Sequence, residues 1–504
     1  MASPSANLHD RIERERKAAA PYRTRWESVK RYRAYARGLQ RGTLNADQIM
    51  IMQTILSNSF SDNILAKILN EHRNRLRPTR YAVEDRTCER FLHDTWIRNQ
   101  FVTLIANAVW AMLRDGNHAL ALDWEPSDDP ANEWGGWVRL SRVRWWDGTS
   151  GVFIKRGPHG EYEYAINEWS DPISKIKYRT IYFPGEIRRY RMGENGANWE
   201  LYRLSTDPEG DGTLTGGPIP WRKADGSPMA VPYVHLTNGS DDDTFYGVSI
   251  FAGGALAFQD QINAIQHDMT AAAMLTGSPQ TWSKGFPQPV DTTTQQAVPI
   301  TTGPGKHHHA ESKDAFFGVL APGDMSQLRD AYLLKVTALC RNTDTPLHTI
   351  IGQWPSGEAL LRAEMPIVQS SRTRIATLGP DLATAAHRAT EIANAFGDGP
   401  EIDEQAPITT VFDDPEMLDP IARWALVEKA TGHVSEREAL RIAGYAPGDI
   451  DRIMQERAAE ADERQERADA AFGAGPDLAA LLKGAQRPTE ASDEETDAPN
   501  DAAA

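Results

Sequence analysis

Residues 246–276, YGVSIFAGGALAFQDQINAIQHDMTAAAMLT, constrain the fold most. Apolar side chains recur at Phe251, Ala255, Phe258, Ile262, Ile265, Met269 and Ala272, in steps of four and three that mark an amphipathic helix rather than a strand. A helix of that extent runs about 45 Å at about 1.5 Å per residue, longer than most small domains need. Its other face carries Gln259, Asp260, Gln261, Asn263, Gln266, His267 and Asp268, which calls for water or polar neighbours. Gly253, Gly254 and several alanines keep it thin, which suits close helix packing. Periodicity alone fits a core helix of a monomeric domain; the same pattern suits repeated packing of identical copies.

A chain of 504 residues with 40% apolar content has material for two to four domains with buried cores. The net charge of −16 disfavours a general basic surface that grips nucleic acid, because counterion release needs clustered Lys and Arg. Cys88 and Cys340 are the two cysteines, so no disulfide framework or cysteine-based metal site is expected, and a reducing compartment fits. The N-terminus lacks the apolar core of a signal peptide, no run is long enough to span a bilayer, and no solenoid repeat is visible. A soluble α+β protein is expected.

Residues 8–39 read as helical and basic, with Tyr22, Trp26, Val29, Tyr32 and Tyr35 among Arg and Lys; the spacing favours packing on a domain body over nucleic-acid contact. Further helices are expected at 46–57, 61–69 and 85–115. After Asp115-Gly116 the pattern changes to strands at 118–124, 137–146, 151–155, 162–167, 177–183, 186–192 and 199–204, a β-rich subdomain. The proline-bounded stretch 228–238 leads to Asp241-Asp242-Asp243, read as a solvated acidic loop because the ligand alternation of a calcium loop is missing. Residues 277–323 form a small insertion with a few strands, including short apolar pieces at 297–300 and 316–320. The insertion holds His307, His308 and His309, read as a surface loop, since consecutive histidines on a strand cannot converge on one metal.

A second helix is expected at 324–341, antiparallel to the first if the insertion is a hairpin-like cap. Pro346, Gly352 and Pro355 interrupt regular structure up to Ser356, which caps a helix reaching about residue 396, with Glu358 in its first turn and kinks at Pro366 and Gly379-Pro380. A short strand at 408–412 precedes helical pieces at 420–431, 435–443 and 447–461, with a capping-box pattern at Ser435 and Glu438. Beyond about residue 462 an acidic, largely disordered tail is expected. No catalytic constellation stands out: Gly247-Val248-Ser249 lacks the strand and closing glycine of a nucleophile elbow, no Walker loop is present, and no pattern specifies two metals. Neither cofactor nor metal is expected.

Four stretches taken in order resemble the portal, or head-to-tail connector, family of tailed bacteriophages. They are AVWAMLRDGNHALA at 108–121, MAVPYVHLTNG followed by FYGVSIF, TPLHTIIGQWPSGEALLRAEMPIV at 345–368, and ATGHVSEREALRIAG at 430–444. The resemblance spans residues 8–461 and leaves out the acidic tail and the His triplet. It implies a portal-like fold assembled as a dodecameric ring around a channel for double-stranded DNA, in a virion built in the host cytoplasm. The wing would be 1–245, the stem 246–276 and 324–341, the clip 277–323, the tunnel loop 342–355, the long kinked helix and return 356–412, and the crown 413–461. The resemblance further implies that Leu347, His348, Ile350, Ile351, Gln353 and Trp354 line the tunnel. Phe251, Phe258, Ile262, Ile265, Met269, Leu328 and Tyr332 would pack the stem, and His307–His309 would face partners. Terminase, a head-completion adaptor, and capsid and scaffolding proteins are the implied partners. An acidic conduit with few fixed phosphate contacts lets DNA slide. Two other classes stay open: a β-rich hydrolytic enzyme, and a non-viral helical adaptor that oligomerises.

Overall fold

The computed structural model describes residues 4–18, 21–40, 62–192, 198–202, 218–239, 246–277, 281–285, 290–291, 293, 296, 313–319, 325–416, 427–431, 433–442 and 447–473. The chain forms two compact units, 1–417 and 418–504.

The first unit mixes helices with antiparallel sheets. It opens with α1 (Pro4–Ala18) and α2 (Pro21–Ala36), in the segment expected to be helical and basic; Pro21 suits a first helical position because it has no N–H to lose there. Tyr35 and Val29 of α2 are buried, which favours the packing reading of this segment, whereas the side chains of Tyr22 and Trp26 lie outside the described residues, as does the helix expected at 46–57. Arg33 is also buried, and its guanidinium bridges Asp115 Oδ2 at 2.8 Å and Asp147 Oδ2 at 2.9 Å.

Then follow α3 (Ile64–Asn74), β1 (Pro78–Ala82), α4 (Arg86–Arg98) and α5 (Phe101–Asp115). The single helix expected at 85–115 is two, because Gln100 takes a left-handed backbone with φ 47°. Asp85 caps α4, accepting from the Cys88 N–H at 2.6 Å, and Gly116 closes α5 with φ 85°.

The strands come close to their expected places. β2 (Asn117–Pro126), β3 (Gly136–Val143) and the later β10 (Tyr233–Thr237) form a sheet in the order β10-β2-β3. Next, β4 (Gly151–Arg156), β5 (Tyr162–Ser170), β6 (Lys177–Phe183), β7 (Glu186–Met192) and β8 (Trp199–Leu201) make an antiparallel meander, with β9 (Ile219–Pro220) paired to β7. Val152, Ile154, Ala165, Ile166 and Ile181 build the meander's core around Trp145 and Tyr190.

The long helix α6 (Ala255–Gly277) starts nine residues later than expected, which shortens it to about 35 Å. Gly253 and Gly254 sit at φ 79° and 105°, a hand that a right-handed helix cannot incorporate. A hairpin of β11 (Thr281–Lys284) and β12 (Phe316–Val319) follows, then α7 (Met325–Asn342). The His307–His309 triplet, the acidic loop 241–243 and the apolar piece at 297–300 lie outside the described residues.

The segment expected to be irregular up to Ser356 contains a short helix, α8 (Leu347–Ile351), ended by Gly352 at φ 75°. The 40-residue α9 (Gly357–Phe396) runs unbroken through Pro366 and Pro380, and the Ser356 side chain makes no capping bond at its start. β13 (Thr409–Phe412) pairs with β1, a strand that the sequence did not reveal. The main core joins α3, α5, the β10-β2-β3 sheet and the second half of α9 through Leu65, Ile68, Ile105, Val109, Leu236 and Leu382.

The second unit holds α10 (Glu436–Ile442) and α11 (Pro447–Gly473), packed through Val427, Ala439, Leu440 and Ile450. The Ser435 hydroxyl accepts from the Glu438 N–H at 3.4 Å, one half of the capping box. Residues 462–473, expected to be tail, are helical: Glu460–Arg464 and Glu463–Arg467 pairs at 3.6 and 3.3 Å support a helix without a core face.

Candidate functional site

Two of the stretches singled out in the sequence meet at one junction. Gly116 and Gly247 approach so closely that a Cβ on Gly247 would lie 2.1 Å from the Gly116 carbonyl oxygen. Asn117 secures the contact: its Oδ1 accepts from the Gly247 N–H at 2.9 Å and its Nδ2 donates to the Gly247 carbonyl at 3.2 Å. The Ser249 hydroxyl donates to the Arg114 carbonyl at 2.5 Å. So the D-G pair and the G-x-S sequence clamp the end of α5 to the approach to α6, with Ser249 bonded to the backbone on both sides of the contact.

Helices α6 and α7 pack side by side and antiparallel. Asn342, at the end of α7, donates to the Gly253 carbonyl just ahead of α6, at 3.1 Å. Near the middle, Tyr332 Oη donates to Asp62 Oδ2 at 2.9 Å, and Gln266 Nε2 donates to the same oxygen at 3.3 Å. Burial first, and then the bond to Asp62, raise the Tyr332 pKa.

Part of the expected polar face has found polar neighbours, while Gln261 and Asp268 are exposed. Gln259, Asn263 and His267 are buried, with Gln259 donating to the Asp62 carbonyl at 2.5 Å and Asn263 Oδ1 accepting from the Asp62 N–H at 3.2 Å. Of the residues expected to pack the stem, Ile262 is fully buried. Phe258, Ile265, Met269, Leu328 and Tyr332 are half-buried. Phe251 lies ahead of the helix, buried in the main core with its ring 6.0 Å from that of Tyr32.

Residues 343–356 join α7 to α9 and are pinned from both sides. His72 of α3 bonds the Thr343 carbonyl at 2.8 Å and Thr345 Oγ1 at 3.2 Å. Burial, reinforced by the neighbouring Arg374 guanidinium, lowers the His72 pKa to about 3, so its ring is neutral. On the other side, Glu364 of α9 accepts from His348 Nε2 at 3.3 Å and from the buried Arg75 at 3.3 Å.

This geometry divides the six residues proposed for the tunnel. His348 is buried, while Leu347, Ile350 and Ile351 pack half-buried against the main core. Gln353 and Trp354 point outward; Trp354 is 66% exposed, its ring 4.8 Å from that of His348. The exposed apolar surface continues on the first turns of α9 with Leu361 and Met365. Glu364, Arg75 and His72 escaped sequence reasoning because these contacts join residues from 16 positions apart, His348 with Glu364, to 289 apart, Arg75 with Glu364.

Among the described residues no group of three or more His, Cys, Asp or Glu side chains is arranged to hold a metal ion, and no helix is long and apolar enough to cross a membrane. Cys88 and Cys340 are both free and buried, and burial pushes each thiol up to about 11.

No family model matches the chain, and no curated protein matches it. Among solved structures it is similar to a chain from the neck of an empty GTA particle computed with C6 symmetry, at 12% identity and a TM-score of 0.42, covering 81% of this chain and 96% of that one. It is also similar to a chain from the neck of a native GTA particle computed with C12 symmetry, at 13% identity and a TM-score of 0.40, covering 83% and 99%.

Proposed function

We propose that this chain is a portal subunit: about twelve copies close into a ring at one capsid vertex, and double-stranded DNA passes through its channel during packaging and ejection. The observation that carries the reading is a continuous run of elements. Two antiparallel helices with a β-hairpin between them lead through a doubly pinned loop with an outward tryptophan into a 40-residue helix. That is the order of stem, clip, tunnel loop and long helix implied by the four family-like stretches.

Physical considerations support it. Heterologous contacts between identical subunits give a closed ring when the rotation closes. A net charge of −16 leaves few fixed phosphate contacts, so DNA can slide. Within this reading Gln353 and Trp354 touch DNA, and the hairpin region with His307–His309 faces terminase and then the head-completion adaptor. The wing meets capsid and scaffolding proteins. The chain acts as a conduit and not as an enzyme.

Electron microscopy of the purified protein, with mass determination in solution, tests this. The expected result is a closed ring of about twelve copies with an axial opening of about 20 Å or more, the breadth that duplex grooves of about 12 and 6 Å imply. A compact monomer or dimer, both alone and when co-produced with its scaffolding and capsid partners, overturns the reading.

A further inference from the structure

A groove of about 480 Å³ lies between β1 and the outer face of α4, well away in sequence from the loop and the helix pair. Its rim is basic. Arg80 comes from the strand, while Arg86, Arg90 and His93 are supplied by one stripe of the helix at spacings of four and three. Arg90 is partly neutralised by Glu133 at 3.0 Å and lies over the Trp134 ring. Arg80 and Arg86 have no ion-pair partner among the described residues, and Glu89 is the one carboxylate of the lining. In a chain with net charge −16 such a concentration runs against the general balance.

The floor is apolar and rigid. Trp96 stacks on Phe101 with ring centroids 4.1 Å apart and meets Tyr81 edge-on at 5.3 Å. Tyr81 is tethered by its hydroxyl, which donates to the Leu382 carbonyl of α9 at 3.2 Å. Beyond the groove the α4 stripe ends in Ile97, 59% exposed. The wall strand has spare capacity too: among the described residues β1 pairs with β13 alone, in a two-stranded sheet.

We propose that this groove docks an acidic, extended peptide segment of a partner protein. Carboxylates of the segment lie against Arg80 and Arg86, where an arginine fork matches a carboxylate in geometry and charge. Alternate apolar side chains rest on Trp96 and Tyr81, and the peptide backbone pairs with the open edge of β1. At about 3.3 Å per residue the five residues of β1 accommodate roughly five residues of a partner strand. A peptide fits better than a nucleic acid because the edge offers main-chain hydrogen bonds that only another peptide backbone returns in register. This docking site does not depend on the portal reading.

The probe is a fluorescein-labelled dodecapeptide alternating glutamate with valine, titrated against the full chain at low salt and followed by anisotropy. Expected are saturable binding that weakens as salt is raised, at least a tenfold loss with Arg86→Glu, and a smaller loss with Arg86→Gln. Both variants replace an exposed side chain, and an unchanged melting temperature verifies their folding. A lysine-for-glutamate peptide binds at least tenfold more weakly, as does a peptide with alternate backbone nitrogens methylated. No saturable binding at millimolar peptide, equal binding of the methylated peptide, or a 20-base-pair DNA duplex displacing the probe with Arg86-dependent affinity overturns the proposal.

Discussion

Trp354 keeps 66% of its surface in solvent although a buried indole would contribute more to stability than almost any other side chain. Its loop is not slack: His72 holds one limb, and Glu364 with Arg75 holds the other through His348. A large aromatic displayed on a pinned loop suits contact with a passing partner, and an aromatic face is indifferent to the sequence of a nucleic acid. Trp354→Gly should therefore leave the loop anchors and the subunit count unchanged, since the indole touches the His348 ring but supplies none of the hydrogen bonds of either pin. In particles carrying the variant, packaged DNA is expected to fall several-fold, with Trp354→Phe retaining most of the yield. Encapsidated DNA per particle, read beside the mass of the purified ring, checks this; full packaging by the glycine variant would remove Trp354 from the channel's working surface.

At the scale of elements, what was legible followed from local period. β6 and β7 occupy the stretches 177–183 and 186–192, read from short runs rich in β-branched and aromatic residues and broken by Gly, Asp and Pro. The antiparallel helix pair and the long α9 were visible in the same way. The start of α6 was hidden, because apolar spacing continues through Gly253 and Gly254 and nothing in it reveals their positive φ. The burial of Gln259 and Asn263 was hidden for a different reason: two polar residues four apart look solvated until Asp62, 197 and 201 positions away, supplies their partners. β1, five residues that open on a proline, was too short to announce itself. The junction of Gly116 and Gly247, secured by Asn117 across 130 positions, yields a sharp test. Gly247→Ala forces a methyl against the Gly116 carbonyl and the Asn238 nitrogen, 2.1 and 2.6 Å away, where backbone has to move. A loss of about 3 kcal/mol or more is expected from such overpacking. Gly239→Ala, with φ 63° and nothing within 4 Å, should cost only about 1 kcal/mol from backbone strain. Urea midpoints of the two variants measured side by side discriminate steric from conformational cost; similar midpoints would mean that the close approach is not a constraint.

Across the whole molecule the buried histidines set the response to acid. Burial, with a nearby arginine acting in the same direction, lowers His9 to about 4 and His72 to about 3, and it holds His235 well below its ordinary value. Burial lowers His118 to about 4 against the opposing charge of Asp115. Each of these rings takes up its proton near pH 6.5 when unfolded but not when folded, so the unfolded state binds more protons as the pH drops and stability is lost from about 6.5 downward. Asp381 works the other way. Its Oδ2 is shut off without a hydrogen-bond partner, and burial raises its pKa to about 7, so the folded state gains on the unfolded one as pH falls from 7 towards 4. At about 1.4 kcal/mol per pH unit, four histidines outweigh one carboxyl. The melting temperature should therefore fall between pH 7 and pH 5. His72→Gln, which keeps a donor for the Thr343 carbonyl but cannot take a proton, should flatten the decline. Thermal unfolding in overlapping buffers at constant ionic strength measures both effects. A melting temperature that holds or rises towards pH 5 would mean that the rings are solvated, and with that the two-sided pinning of residues 343–356 through His72 would lose its basis.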